Sequence, residues 1–192
     1  MTLEIDRKST ALVVIDLQKG IVYSGRSLEP HSPEVVVRNA AKLAEAFRTN
    51  GMPVFLVHVV ASPADRLDVI ADDSVGRSSA PWPADASDFV PEIGPRAGDL
   101  TIAKKQWGAF YGTELELQLR RRGMRTIVLC GISTNYGVES TARFAYEFGF
   151  QQVFAEDAMA SGSAEMHNAT VNFVFRRVGR VRKTDEILEA LR

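Results

Sequence analysis

The residues best placed to do chemistry are a few polar side chains that directly follow apolar runs of the sequence. Asp16 follows the run from Thr10 to Ile15, and Lys104-Lys105 follow a shorter apolar stretch. A carboxylate at the end of a buried run is poorly solvated, so it needs a cation or hydrogen-bond donors nearby. A lysine beside it could transfer protons, because each partner shifts the pKa of the other. The same pair is equally typical of a structural ion pair.

The elements that must position these side chains alternate between short apolar runs and amphipathic stretches. Runs of this kind predict strands covered on both faces, as in parallel sheets; they lie at 10–15, 53–60, 101–103, 126–130, 153–155 and 179–182. Helices are predicted between and after them, at 33–50, 113–122, 138–148, 164–175 and 185–191. Three of these helices end at a glycine shortly before the next strand, which is typical of βαβ units. The ligand crevice of such a sheet lies at the carboxyl ends of the strands.

The segment from Ala61 to Asp99 breaks this pattern. It holds five of the eight prolines and has no clean hydrophobic period. A loop of this length inside one domain is typical of a functional lid or a flexible insertion. We therefore expect a single domain over residues 1–192, with 61–99 as a Pro-rich lid or insertion.

Composition excludes several classes of partner. The formal net charge is −1, which gives no basic field for nucleic acid or an anionic membrane. A lone cysteine, Cys130, excludes an internal disulfide framework and fits a reducing compartment. No apolar run approaches membrane-spanning length and no signal peptide is evident, so the sequence predicts a cytoplasmic protein.

Four motifs carry a family resemblance that covers nearly the whole chain. VVIDLQ at the first strand is followed in order by KKQWGAFYGTEL, LCGISTNYGVESTA and AEDA. Together they resemble the isochorismatase-like hydrolases. The resemblance implies an α/β, three-layer Rossmann-like fold, in which a six-stranded parallel sheet carries helices on both faces. It also implies a homodimer or homotetramer, no cofactor, and a cis peptide bond between Ile132 and Ser133.

The usual triad of this family is Asp, Lys and Cys, and the resemblance assigns its first two members to Asp16 and Lys104. Lys105 is then a flanking surface residue. The cysteine position falls on Gly137. Glycine cannot form the covalent intermediate that a thiolate forms, but it does permit close approach of the backbone to a ligand. The alternatives are an inactive site and a glycine tolerated near a helix start. Isochorismate hydrolases also look glycine-like here and cleave a vinyl ether by acid catalysis.

Several other residues are candidates for binding the substrate, each with a structural alternative. The aromatic candidates are Trp107, Phe110 and Tyr136, although aromatic residues near strand ends are core residues at least as often. Ser133 and Thr134 could donate hydrogen bonds to a ligand, but hydroxyls after a strand more often cap the following helix.

The remaining reactive residues are assigned structural roles. Cys130 is predicted to point into the core. Zinc-binding relatives use an Asp and two His beside the second strand, yet no Asp-x-His follows His58. Because His31 and His167 are distant in sequence, no metal site is expected.

The resulting hypothesis is a hydrolase that acts on a small polar metabolite, at a vinyl ether or an amide-like bond. It would use non-covalent acid/base catalysis by the Asp16–Lys104 pair. The alternative is a catalytically inactive family member that acts as a small-molecule-binding or regulatory protein.

Overall fold

The computed structural model describes residues 3–60, 65, 69–72 and 82–192. A six-stranded sheet lies at its centre, and every pair of neighbouring strands is parallel. The strands are β1 (Thr10–Ile15), β2 (Val54–Val59), β3 (Leu100–Lys104), β4 (Thr126–Ile132), β5 (Gln151–Ala160) and β6 (Arg180–Arg182). Their order across the sheet is β3-β2-β1-β4-β5-β6. The predicted parallel α/β sheet is therefore confirmed.

Helices cover both faces of this sheet. They are α1 (Lys19–Val22), α2 (Pro33–Thr49), α3 (Leu115–Arg121), α4 (Glu139–Glu147), α5 (Ala164–Ala169), α6 (Arg176–Val178) and α7 (Thr184–Ala190). Two π-helical segments, Thr134–Val138 and Thr170–Phe175, lead into α4 and α6. No helix in the described part of the chain is both long and apolar enough to cross a membrane.

Strand β1 shows why the fold has three layers. All six of its residues are buried. Leu12 and Val14 pack in one apolar cluster with residues of α2 and α7. Ala11, Val13 and Ile15 pack in a second cluster with residues of α3 and α4. Alternate side chains of a strand point to opposite faces, so the continuous apolar run reflects burial on both sides.

Two predicted helices differ in detail. Helix α3 begins at Leu115, two residues later than predicted, because the Thr113 hydroxyl accepts a hydrogen bond from the Leu115 amide instead of forming a capping box. The helix predicted over 164–175 is divided into α5 and a π-helical segment.

The Pro-rich segment is described only in part, since residues 61–64, 66–68 and 73–81 lie outside the described residues. Residues 82–99 form turns and no helix, and they contribute Val90 and Ile93 to the core. A short bridge also pairs Phe89 with Gln18. The lid role of 61–99 stays a prediction.

Candidate active site

The candidate site lies where the strand order reverses. The chain builds the sheet outward from β1 through β2 to β3, then crosses to β4 on the other side of β1. A crevice forms at the carboxyl ends of the strands at such a switch point. Asp16 directly follows β1, and Ser133 directly follows β4. Lys104 is the last residue of β3, so all three meet at one edge of the sheet.

Asp16 is held in an unusual position at this edge. Its φ is +56°, in the left-handed region that non-glycine residues rarely adopt. Its amide donates to the Val57 carbonyl at 2.9 Å, which fixes the backbone against β2. The carboxyl group is buried, and its Oδ2 accepts a 2.7 Å hydrogen bond from Lys104 Nζ. The predicted contact between Asp16 and Lys104 is thus confirmed.

Lys104 serves this site as a fixed positive charge. Besides Asp16, its ammonium group donates to the carbonyl oxygens of Gln106 at 3.1 Å and Trp107 at 2.7 Å. An ammonium group has three N–H donors, and these acceptors account for all of them. Lys104 is only 1% exposed. We infer that it balances charge and orients Asp16, and does not itself contact a substrate.

The second carboxyl oxygen of Asp16 has no such partner. Oδ1 is buried and forms no hydrogen bond with any described residue. Burial raises the pKa of Asp16 from its usual 3.8 to about 6, although the nearby Lys104 charge lowers it. A carboxyl group with this pKa can hold a proton close to neutral pH, as a general acid requires.

Gly137 borders the Asp16 carboxyl group. A Cβ atom at this position would lie 3.1 Å from Asp16 Oδ2 and 3.0 Å from Ile15 Cγ2. Both separations are shorter than the roughly 3.5–4.0 Å preferred by non-bonded carbon atoms. The backbone of the π-helical segment can therefore lie this close only because residue 137 lacks a side chain.

The chain that leads into Gly137 is also held close to β1. Gly131 has a φ of +125°, and a Cβ there would lie 2.0 Å from the Ile15 carbonyl oxygen. The peptide bond between Ile132 and Ser133 is cis, as the family resemblance predicts. Ser133 is half-buried, and its side chain forms no capping hydrogen bond.

Two of the predicted substrate-binding aromatic residues lie together on the surface. Trp107 and Tyr136 are exposed, and their ring centroids are 4.8 Å apart. The Trp107 carbonyl is one of the acceptors for Lys104, so this aromatic pair lies beside the ion pair. Their contact with a substrate stays a prediction.

Two other candidates are located inside the protein. Phe110 is 5% exposed and packs against Phe148 and Phe150 in the core. Thr134 is fully buried, and its hydroxyl lies 2.9 Å from His167 Nδ1. These positions favour packing and positioning roles, and no observation tests their contact with a substrate.

Three residues that the sequence analysis set aside have the predicted structural roles. Cys130 is fully buried in the core, and burial raises the pKa of its thiol to about 12. Lys105 is half-exposed and pairs with Asp65 at 3.0 Å. His58 Nδ1 lies 2.7 Å from the Ser87 carbonyl oxygen, and its ring stacks on Phe89.

Sequence reasoning missed the role of Gln18, the last residue of the VVIDLQ motif. Its fully buried amide donates to the Val59 carbonyl at 3.1 Å and the Ala86 carbonyl at 2.9 Å. It also accepts from the Val59 amide at 2.7 Å. Gln18 therefore ties the end of β2 to the loop containing Ala86. A glutamine directly after a buried strand end was the available signal.

Sequence reasoning also missed a cluster in which residues distant along the chain meet. His31, Glu156 and His167 place one potential metal-ligand atom each within 4.8 Å of one another. Hydrogen bonding from His167, aided by Lys183, holds the pKa of Glu156 at about 2. Its carboxylate is thus ionised. The large sequence separation had argued against any grouping of these histidines, and that argument was wrong.

Comparison with known proteins is consistent with this geometry. The family model described as the isochorismatase domain matches residues 10–186. The chain is 52% identical to YwoC of Bacillus subtilis, an isochorismatase family protein, over 100% of this chain and 98% of the relative. It is 29% identical to a protein of Pseudomonas chlororaphis named probable isochorismatase, over 96% of this chain and 87% of that relative.

The solved structures agree. An isochorismatase family protein from Burkholderia thailandensis superposes with a TM-score of 0.92 at 40% identity, covering 100% of this chain and 99% of the other. This chain is a member of the isochorismatase family of hydrolases. Proteins named as amidohydrolases or amidases are found among its relatives as well as isochorismatases.

Proposed function

We propose that this hydrolase cleaves a vinyl ether bond in a small polar metabolite by general acid catalysis from Asp16, without a covalent intermediate. The observation that carries the proposal is the state of Asp16. One carboxyl oxygen is bound to Lys104, the other has no partner among the described residues, and the pKa is near neutrality. The adjacent residue 137 has no side chain that could act as a nucleophile.

The chemistry suits a single carboxyl group that gives and then recovers a proton. Asp16 donates its proton to the terminal carbon of the vinyl ether, and the ether carbon becomes an oxocarbenium ion. Water adds to that carbon and returns a proton to the Asp16 carboxylate. The hemiketal that results breaks down to a carbonyl compound and an alcohol. Lys104 stabilises the carboxylate while the proton is absent.

The experiment is a screen of vinyl ethers, amides and ureides with the wild type and Asp16→Asn. We expect turnover of a vinyl ether by the wild type, and a loss of about 100- to 10,000-fold in Asp16→Asn, the usual contribution of a general acid. In D2O the carbonyl product should gain one deuterium at the carbon that was protonated. Cleavage of an amide alone would overturn the choice of bond, and saturable binding without turnover would support the binding-protein alternative.

The two lysines provide a matched pair of variants for the same screen. Lys104→Met should impair turnover, whereas Lys105→Met should leave it unchanged because Lys105 lies on the surface. The losses from Lys104→Met and Asp16→Asn should combine less than additively, since residues that act as a unit are not additive. Full additivity would contradict the paired role.

A further inference from the structure

Three elements bring the side chains of the histidine–glutamate cluster together. His31 immediately precedes α2, Glu156 lies in β5 and His167 lies in α5. The backbones of Glu29 and Ser161 exchange two hydrogen bonds, of 2.9 and 2.8 Å, which hold the segment before α2 against the end of β5. The cluster is therefore built on a fixed frame.

A single carboxylate oxygen faces both imidazole rings. Glu156 Oε1 lies 3.4 Å from His31 Nε2 and 3.3 Å from His167 Nε2. The two rings are nearly perpendicular, at 88°. Charge-assisted N–H···O hydrogen bonds are usually about 2.7–2.9 Å long, so both separations are long for direct contacts of that type.

The same separations match those between ligands of a tetrahedral zinc ion. With metal–ligand bonds of about 2.0–2.1 Å, two ligand atoms of a tetrahedron lie about 3.3–3.4 Å apart. Two histidines and one glutamate are also a ligand set that Zn²⁺ uses when it keeps a fourth position open. Imidazole nitrogen favours zinc over the oxygen-seeking Mg²⁺ and Ca²⁺.

His167 is oriented in the way expected of a metal ligand. Its Nδ1 is 2.9 Å from the Thr134 hydroxyl, while its Nε2 faces Glu156. A hydrogen bond to the second ring nitrogen fixes the orientation of metal-bound histidines in proteins. The residue is fully buried, whereas the His31 side chain is 22% exposed and leaves a route for the ion.

Lys183 is the one feature of the cluster that opposes a cation. Its ammonium group contacts Glu156 Oε2, the oxygen that does not face the histidines. The lysine side chain is 55% exposed, so it can move into solvent when a cation binds. Its charge should weaken metal binding without blocking it.

We propose that His31, Glu156 and His167 form a binding site for one Zn²⁺ ion per chain. The ion would join the segment before α2 to β5 and α5, and through Thr134 it would brace the turn that follows the cis peptide bond. This site is separate from Asp16 and Lys104, and the proposal does not depend on the reaction assigned to them.

The test is titration of chelator-treated protein with Zn²⁺ in an isothermal calorimeter. We expect one equivalent to bind per chain, and at least a tenfold loss of affinity in His31→Gln and in Glu156→Gln. His58→Gln is the matched control, since His58 lies outside the cluster and should leave affinity unchanged. Lys183→Met should bind Zn²⁺ more tightly, because the competing charge is removed.

A second measurement separates loss of the site from loss of the fold. Zn²⁺ should raise the melting temperature of the wild type and of His58→Gln, but not that of His31→Gln. Circular dichroism of each variant without metal should match the wild type. The proposal is overturned if no saturable binding occurs, or if binding survives both His31→Gln and Glu156→Gln.

Discussion

Replacing Gly137 with alanine tests whether residue 137 must lack a side chain for the acid and its counter-charge to form. The new Cβ would lie 3.0 Å from Ile15 Cγ2 and 3.1 Å from Asp16 Oδ2. Ile15 is fully buried in β1 and cannot move far, so the helix or the Asp16 carboxyl group must shift. The Oδ2 atom that meets the Cβ is the one bound to Lys104 at 2.7 Å.

The expected magnitude follows from two opposing effects. An added methyl group in a close-packed interior typically costs about 1–3 kcal/mol. Alanine regains up to about 1 kcal/mol over glycine within a helix. The net loss in the free energy of unfolding should be about 1–2 kcal/mol. Misplacement of a reacting group by about 1 Å can cost roughly 100-fold in rate, so a shift of a few tenths of an ångström should cost roughly tenfold.

Urea unfolding and steady-state kinetics on the substrate found in the screen measure these two effects. Gly108→Ala is the control, because this buried glycine lies in the loop after Lys104 and its Cβ would meet Ser140 at an ordinary 3.5 Å. It should retain stability and activity. The reasoning is refuted if Gly137→Ala is as stable and as active as the wild type. Gly137→Cys begins with the same Cβ, so we expect it to lose activity and gain no amidase activity.

Three further predictions concern the acid, the cysteine and the assembly. Turnover should fall by about tenfold per pH unit above about 6, since only the protonated Asp16 can donate; a rate that rises there would identify Asp16 as a base. Iodoacetamide should leave activity intact and Cys130 unmodified in the native protein, whereas mass spectrometry should show alkylation in urea, because the thiol is buried with a pKa of about 12. Light scattering at micromolar concentration should show a dimer or tetramer, and a monomer alone would contradict the family-based expectation.

The strands were predicted well because their signal is local. The bounds of β1 match its apolar run, since burial on both faces leaves no polar residue inside the strand. Asp16 was identified by the same logic, as a charged residue at the end of a buried run. The choice between Lys104 and Lys105 came from the family resemblance. Alternation along β3 buries Lys104 and turns the next residue outward.

The features that the sequence did not predict depend on contacts between distant segments. Glu156 meets His31 across 125 positions of the chain. The register shift between β4 and β5 at Leu129 and Gly131 also has no local signature. The tertiary position of α5, which sets the place of His167, is likewise invisible in a hydrophobic pattern. Side-chain clusters of this kind require the fold before they can be recognised.

The tight space around Gly137 has a consequence for the evolution of the family. If a glycine variant arose from a cysteine enzyme, Ile15 and Asp16 now occupy the volume that any β-carbon would need. Reversion by a single substitution would then be penalised, because the thiol could enter only after a neighbour had become smaller, as in Ile15→Ala. Loss of the nucleophile would thus act as an evolutionary ratchet, in which later packing closes the mutational route back to covalent chemistry.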